Sequence, residues 1–374
     1  MHANALTLLE FDKVIDVVVS YALTPLGVGE LRQLHPLTNQ DDVRAELTKT
    51  TEGVRFLEDN GDIQLRAPSD LERILGKLAI EAQVLTSTQL LGLTSFLESI
   101  EHICKAVPVA KGGPYPALST ITRGCATWER ECGEIHKKVD GSGELIDEAS
   151  PELKAIRSRL RKQQNRLRGN LESYLRGRAT AKYLQERVVA ERAGRFVLVV
   201  RSEHRTAIPG IVHGSSTSGA SLFLEPLSTV DINNEIVSLQ EKEKDEVRRV
   251  LLLLSSSFRR RASDLRRTLL TATEVDAIQA RAGFARATGS IEPEVAADQT
   301  LDLQAARHPL LIRAVTDRLQ ETASADSPIE PVPINLTMNP PTRVIIVTGP
   351  NTGGKTVALK TAGLLVVMAQ SGLH

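Results

Sequence analysis

Two sparse apolar seams flanking a strand-like stretch constrain the architecture of this chain more than any other feature. Leu153, Ile156, Leu160, Leu167, Leu171 and Tyr174 recur at gaps of three, four or seven residues on a very polar background, the narrow stripe of a helix that pairs with another helix. Val247, Val250, Leu254, Phe258 and Leu265 repeat the pattern. Between them, from Arg187, the period becomes that of strands: Val188 and Val189, then residues 195–200, with Ala193-Gly194 as a hairpin turn. Two more strands are predicted over residues 208–213 and 221–224, across a serine-rich loop at 214–219. The returning helix is predicted from near Asp231 to about Ala287. Helix out, β tip and helix back make an arm.

The first 150 residues also read as helix. Phe11, Val14, Ile15, Val18 and Ala22 share one helical face. Thr24-Pro25 is an N-cap followed by proline at the first helical position, and Asn39 opens a helix with Asp41 and Asp42 in its first turn. That helix turns Val43, Leu47, Val54 and Leu57 inward. The turn cluster at 139–143 separates this block from the arm. Of 374 residues, 41% are hydrophobic but only 12 are aromatic, so the core must be aliphatic, which suits helices. The length allows two or three domains. After Thr288 the composition is loop-like, and residues 320–331 are the strongest candidate for disorder.

Near the C-terminal end, Gly349-Pro350-Asn351-Thr352-Gly353-Gly354-Lys355-Thr356 satisfies G-x-x-x-x-G-K-[ST]. It lies between an apolar run at 343–347, predicted to be a buried strand, and a helix predicted from Lys355 to about Gln370. In such a loop, backbone N–H groups and the helix N-terminus face phosphate oxygens. Glycines let the backbone approach closely. Lys355 is placed to reach the β- and γ-phosphates of ATP, and Thr356 to hold Mg²⁺. Hydrolysis also needs a second acidic strand end and a group that orients water, and neither is found. The expectation is the N-terminal portion of a longer protein, binding nucleotide poorly and hydrolysing none by itself, with its hydrolytic residues beyond His374.

Formal charge sums to zero, 46 Lys+Arg against 46 Asp+Glu, which excludes a uniformly basic nucleic-acid coat or an acidic tail protein. Resolved along the chain, residues 151–192 carry twelve Lys/Arg against four Glu, and residues 247–270 carry seven Arg against one Asp. Arg157, Arg161, Arg168, Arg176, Arg178, Arg259, Arg260 and Arg266 are the candidate DNA-binding residues, since a basic arm can track a phosphate backbone. The competing interpretation is a solvated, arginine-rich helix pair.

Other candidates are weaker. Cys125, Cys132 and His136 are spaced for one helical face but lack a fourth metal ligand; ordinary packing is expected, with no metal besides Mg²⁺. His213 reads as a strand-end histidine and His308 as a structural turn residue. Three cysteines without a CxxC pair point to a reducing cytoplasm. No leader and no apolar run long enough to span a bilayer are seen, so no membrane partner is expected.

The loop from Thr348 to Thr356, continuing Val-Ala-Leu-Lys-Thr-Ala-Gly-Leu-Leu, resembles the MutS family of DNA-repair ATPases, and Thr352 points to its second bacterial, recombination-suppressing subfamily. Leu9-Glu-Phe-Asp-Lys-Val-Ile15, Tyr21-Ala-Leu-Thr-Pro-Leu-Gly27, Gly210-Ile-Val-His213, the stretch from Thr217 to Pro226, and Ala306-Arg-His-Pro-Leu-Leu311 agree with it. The resemblance implies a helical core at 1–150, an outgoing lever helix at 151–186, a β clamp module at 187–232, a returning lever helix and core at 233–288, and an incomplete P-loop ATPase domain at 289–374. It also implies a homodimer that binds branched double-stranded DNA and suppresses homologous recombination. In some members action on stalled ribosomes, through ribosomal RNA, is added. The subfamily's endonuclease activity comes from a C-terminal Smr domain, expected beyond His374. The mismatch-reading and connector domains of other members are expected to be absent, so mismatch recognition is not expected. One departure stands: the usual Val-Pro-Asn-Asp before the ATP-binding strand reads Val332-Pro333-Ile334-Asn335 here.

The alternative is a nucleotide-independent helical DNA clamp or interaction module. A coiled-coil ATPase of the chromosome-maintenance type is disfavoured, because its P-loop precedes the coil.

Overall fold

Thr24 and Asn39 cap helices at the positions the sequence marks. The Thr24 side chain accepts from the Gly27 N–H, and the Asn39 side chain from Asp41 and Asp42. In this computed structural model residues 3–108, 113–192, 194–319, 331–349 and 354–374 are described. The first helices are α1 (Ala3–Leu8), α2 (Phe11–Val19), α3 (Pro25–Leu31), α4 (Gln40–Asn60), α5 (Leu71–Ala79), α6 (Ser87–Ala106), α7 (Pro116–Thr122) and α8 (Glu129–His136). The arm follows as α9 (Pro151–Arg176), β1 (Leu184–Arg192), β2 (Arg195–Arg201), β3 (Gly210–Ser215), β4 (Ser221–Pro226) and α10 (Leu227–Arg260). Then come α11 (Ala262–Thr288), β5 (Leu301–Ala306), α12 (Arg313–Leu319), β6 (Ile334–Met338) and α13 (Lys355–Gln370). A mainly helical chain with a small antiparallel β module is therefore what forms.

The chain divides into two compact units. One comprises Met1–Ala79, Gly92–Cys132 and Phe258–His374; the other comprises Ile80–Leu91 and Gly133–Ser257. In the first, Phe11, Val14 and Val18 of α2, Ala280 and Phe284 of α11, Val315 of α12 and Leu364, Val367 and Met368 of α13 form one buried cluster. α4 and α11 approach closely at Gly53, where a Cβ would come within 2.7 Å of the Ile278 Cγ2 and 3.2 Å of the Ala282 Cβ. Three buried carboxylates on long helices satisfy N–H groups at or before the start of short ones, which lack intrahelical acceptors. Asp276 accepts from the Leu23 and Thr24 N–H groups at 2.9 and 2.8 Å and from the Thr24 hydroxyl at 2.7 Å. Glu52 accepts from Ala117 and Leu118, both at 2.9 Å, and Glu101 from Trp128 at 3.0 Å.

In the second unit the α9 seam is buried at Leu153, Ile156, Leu160, Leu167 and Leu171. The four strands form a fully antiparallel sheet in the order β1-β2-β4-β3. Leu198 pairs with Leu224 across β2 and β4, and both share a core with Leu167, Leu171, Ile232 and Ile236. Gly194 takes φ +74° in the β1–β2 turn, a left-handed value that suits glycine; Ala193 lies outside the described residues.

Four expectations are revised. α9 ends at Arg176 rather than 186, because Gly177 leaves the helical region at φ −65°, ψ 119°. The returning helix starts at Leu227, directly after β4, and is interrupted at Arg261 (φ −111°, ψ 35°). Residues 343–347 form no strand: Val344 is 74% and Ile346 81% exposed, and no described strand pairs with them. A strand needs a hydrogen-bonded neighbour, so the strand half of the expected P-loop unit is missing while its helix, α13, is present. Finally, the loop-like region after Thr288 contains an antiparallel pair, β5 with β6. Of the expected disordered segment, residues 320–330 lie outside the described residues.

Candidate nucleotide-binding loop and basic arm

Gly349 and Gly354, the outer glycines of the motif, both take positive φ, +143° and +73°, where a Cβ would be strained. Gly354 is the residue before α13, and among the described residues no side chain caps that helix's first N–H groups. Lys355 is the first helical residue, and its ammonium donates to the Gly349 carbonyl. Thr356 is exposed in the same turn. Pro350, Asn351, Thr352 and Gly353 lie outside the described residues. An uncapped helix N-terminus, two left-handed glycines, an ammonium and a hydroxyl fit a nucleotide's phosphates and their Mg²⁺. Asn335, in the segment that departs from the family pattern, is engaged in the sheet: its Oδ1 accepts from the Ala305 N–H at 2.6 Å, joining β6 to β5.

The arginines proposed for DNA divide by unit and by partner. Arg157 is held on three sides, by Glu243 at 2.7 Å, the Leu145 carbonyl at 2.7 Å and Asp147 at 3.1 Å. Arg161 reaches Asp147 at 2.8 Å, and Arg176 reaches Glu172 at 3.0 Å. Arg161, then Arg157, holds the Asp147 carboxyl below its ordinary value. Arg168 and Arg178 are exposed and form no ion pair with another described residue. Arg259, Arg260 and Arg266 belong to the other unit. Arg259 donates to the Leu78 carbonyl at 3.1 Å, while Arg260 and Arg266 are exposed.

The neutralising carboxylates were visible as a sequence signal. Residues 231–246 contain Asp231, Glu235, Glu241, Glu243, Asp245 and Glu246, and antiparallel return brings Glu235 to Arg159 at 2.6 Å and Glu243 to Arg157. Counting bases on each helix separately hides this cross-helix cancellation.

Sequence spacing gave no hint of the hub at Glu225, which is completely buried. It accepts from Arg195 at 2.8 and 3.0 Å and from Asn233 at 2.8 Å, and lies 2.6 Å from the His213 Nε2. His213 is thus built into the clamp sheet. Cys125 sits in the turn after α7, off α8, which carries Cys132 and His136. His308 is buried ahead of a single turn at Pro309–Leu311, and burial holds its pKa below the ordinary value.

Comparison with known proteins gives one consistent result. The chain is 36% identical over its whole length to an endonuclease MutS2 of Symbiobacterium thermophilum and 34% identical to one of Bacillus velezensis. It is 33% identical to a putative endonuclease MutS2 of Bacillus subtilis, again over its whole length. Over its whole length the chain is thus similar to endonuclease MutS2 proteins. It spans about half of each of these relatives, 45% or 46% of their length. No protein-family model matches. Among the described residues no helix is long and apolar enough to cross a membrane.

Proposed function

We propose that this chain is the ATP-responsive, DNA-gripping part of a MutS2-type enzyme. ATP with Mg²⁺ binds at Gly349 to Thr356, and the arm of α9, the four-stranded sheet and α10 contacts branched double-stranded DNA in a homodimer. The observation that carries the nucleotide half is the register of the motif on the fold: α13 begins, uncapped, at Lys355, with left-handed glycines at both described ends of the loop. Lys355 and Thr356 hold the β- and γ-phosphates and Mg²⁺. When bound, the metal neutralises charge on the phosphates. Suppression of recombination, nuclease activity from an Smr domain outside this chain, action on stalled ribosomes and a cytoplasmic location extend the same reading, supported by the family.

On the DNA side, exposed Arg168 and Arg178 make phosphate contacts, while Arg157 serves the helix pair. In the full-length protein Lys355→Ala should abolish ATP turnover with the helical fold intact by circular dichroism; unchanged turnover would sink the reading. The second reading, a nucleotide-independent clamp, rests on the exposed, unpaired run at 343–347. It predicts junction-DNA affinity that is the same with and without Mg·ATP and in Lys355→Ala.

A further inference from the structure

α13 is anchored differently along its length. Toward its C-terminus, Leu364, Val367 and Met368 are buried in the core of the first unit, and Leu373 beyond the helix joins them. There the Thr50 hydroxyl donates to the Gly372 carbonyl at 2.6 Å and the Leu37 N–H to the Gln370 carbonyl at 2.9 Å. The N-terminal half is more exposed, with Val357 and Leu359 open to solvent. Here the Lys360 ammonium donates to the Glu10 carboxylate at 2.7 Å.

Glu10 is an unusual place for such a grip. It joins α1 to α2 in left-handed backbone, φ 58°, ψ 34°, a conformation that costs a non-glycine residue free energy and is held by its surroundings. Its N–H donates to the Thr7 carbonyl and its carbonyl accepts from Lys13 N–H, at 3.1 and 3.2 Å. The Lys13 ammonium lies 3.1 Å from its other carboxylate oxygen. The neighbouring Leu9 packs where α13 has no side chain, since a Cβ on Gly363 would meet the Leu9 Cδ2 at 2.8 Å. Residues 9 and 10 therefore touch α13 at 363 and 360. Lys360 follows Thr356 by four residues, so the two lie on one helical face, about one turn apart.

We infer that Glu10 is a positioning residue for the loop helix: by gripping Lys360 it fixes the rotation of the N-terminal half of α13, and with it the direction in which Lys355 and Thr356 present their side chains. This rests on the nucleotide reading for its purpose but not for its geometry. Small misplacements at a phosphate site are expensive because the contacts are directional.

The test uses the full-length protein, with hydrogen exchange and binding of a fluorescent ATP analogue with Mg²⁺. In Glu10→Gln the amides of residues 359–361 should exchange about tenfold faster while those of 367–370 keep their wild-type rates, and nucleotide should bind about tenfold more weakly. Lys360→Met should behave alike. The double variant should be no worse than either single one, because both act through one contact. Wild-type exchange at 359–361 in Glu10→Gln, or additive effects in the double variant, overturns the inference; so does wild-type nucleotide affinity in Glu10→Gln. A full-length wild-type protein that binds no nucleotide, with α13 still loosened by Glu10→Gln, overturns the nucleotide reading instead and supports Glu10 as the residue that positions α13.

Discussion

Asp276, Glu52 and Glu101 show how single residues hold the helical unit together. α3 and α7 are too short to be stable alone, and each receives a carboxylate from a distant long helix at its N-terminal end. Asp276→Ala would leave two N–H groups and a hydroxyl without their buried acceptor. We expect a loss of about 3 kcal/mol, seen as a lower urea midpoint with unchanged slope. Glu52→Ala should cost about 2 kcal/mol by the same logic. In the other unit Asp147 makes stability depend on pH. Its folded pKa is lowered by Arg161 and then Arg157, so its contribution is complete above the ordinary Asp value and is lost as pH falls through the lowered one. Asp147→Asn should therefore be less stable than wild type at pH 7, and the gap should narrow as the pH falls below the ordinary Asp range, as urea midpoints across an acid series would show. The local caps Thr24 and Asn39 were legible because cap and helix are adjacent in sequence. Asp276 was not, since its role depends on a partner 252 residues away.

At the scale of elements, the break between α10 and α11 is the clearest departure from what periodicity predicts. The seam runs on from Phe258 to Leu265 because a gap of seven is compatible with a continuous helix or with a kink. What the pattern cannot contain is the environment of Arg261. Its guanidinium stacks 4.3 Å above the Trp128 ring and bonds to Glu131, Asp264 and the Thr127 carbonyl. Trp128 is fully buried, with its indole N–H donating to the Thr268 hydroxyl at 3.1 Å. Arg261→Ala should destabilise this unit by about 2 kcal/mol, since it leaves the largely buried Glu131 without its cation. Arg261→Lys should not fully restore it, because a point charge cannot reproduce stacking and forked donation together. Trp128 is the sole tryptophan, so its fluorescence during urea unfolding reads both variants.

For the whole molecule, the neutral charge sum proved to be organised pairing as much as segregation. Arg157 and Arg159 face carboxylates across the helix pair, and Arg161 faces Asp147 in the turn ahead of α9, so the arm's external charge is carried by fewer residues than the count of bases suggests. Junction-DNA affinity of the chain should fall with salt. The Arg168→Ala, Arg178→Ala double variant should reduce the logarithmic salt slope by about 2 if both touch phosphates; an unchanged slope would refute those contacts. The helical seams, the β module and the helix that follows the glycine-rich loop were all legible, because period and motif are local properties. The isolation of residues 343–347 was not, since a strand is defined by its neighbours. Ile346→Lys should reduce concentration-dependent association in light scattering, because it interrupts an exposed apolar run.

The missing side chain at Gly53 has a mechanical consequence. At Gly53, α4 meets Ile278 and Ala282 of α11 with no side chain of its own between them, so the two helices interlock there and sliding of one along the other is resisted. Because Thr50, one turn away on α4, also donates to the Gly372 carbonyl beyond α13, a torque applied at the N-terminus of α13 would be passed to that interlocked pair.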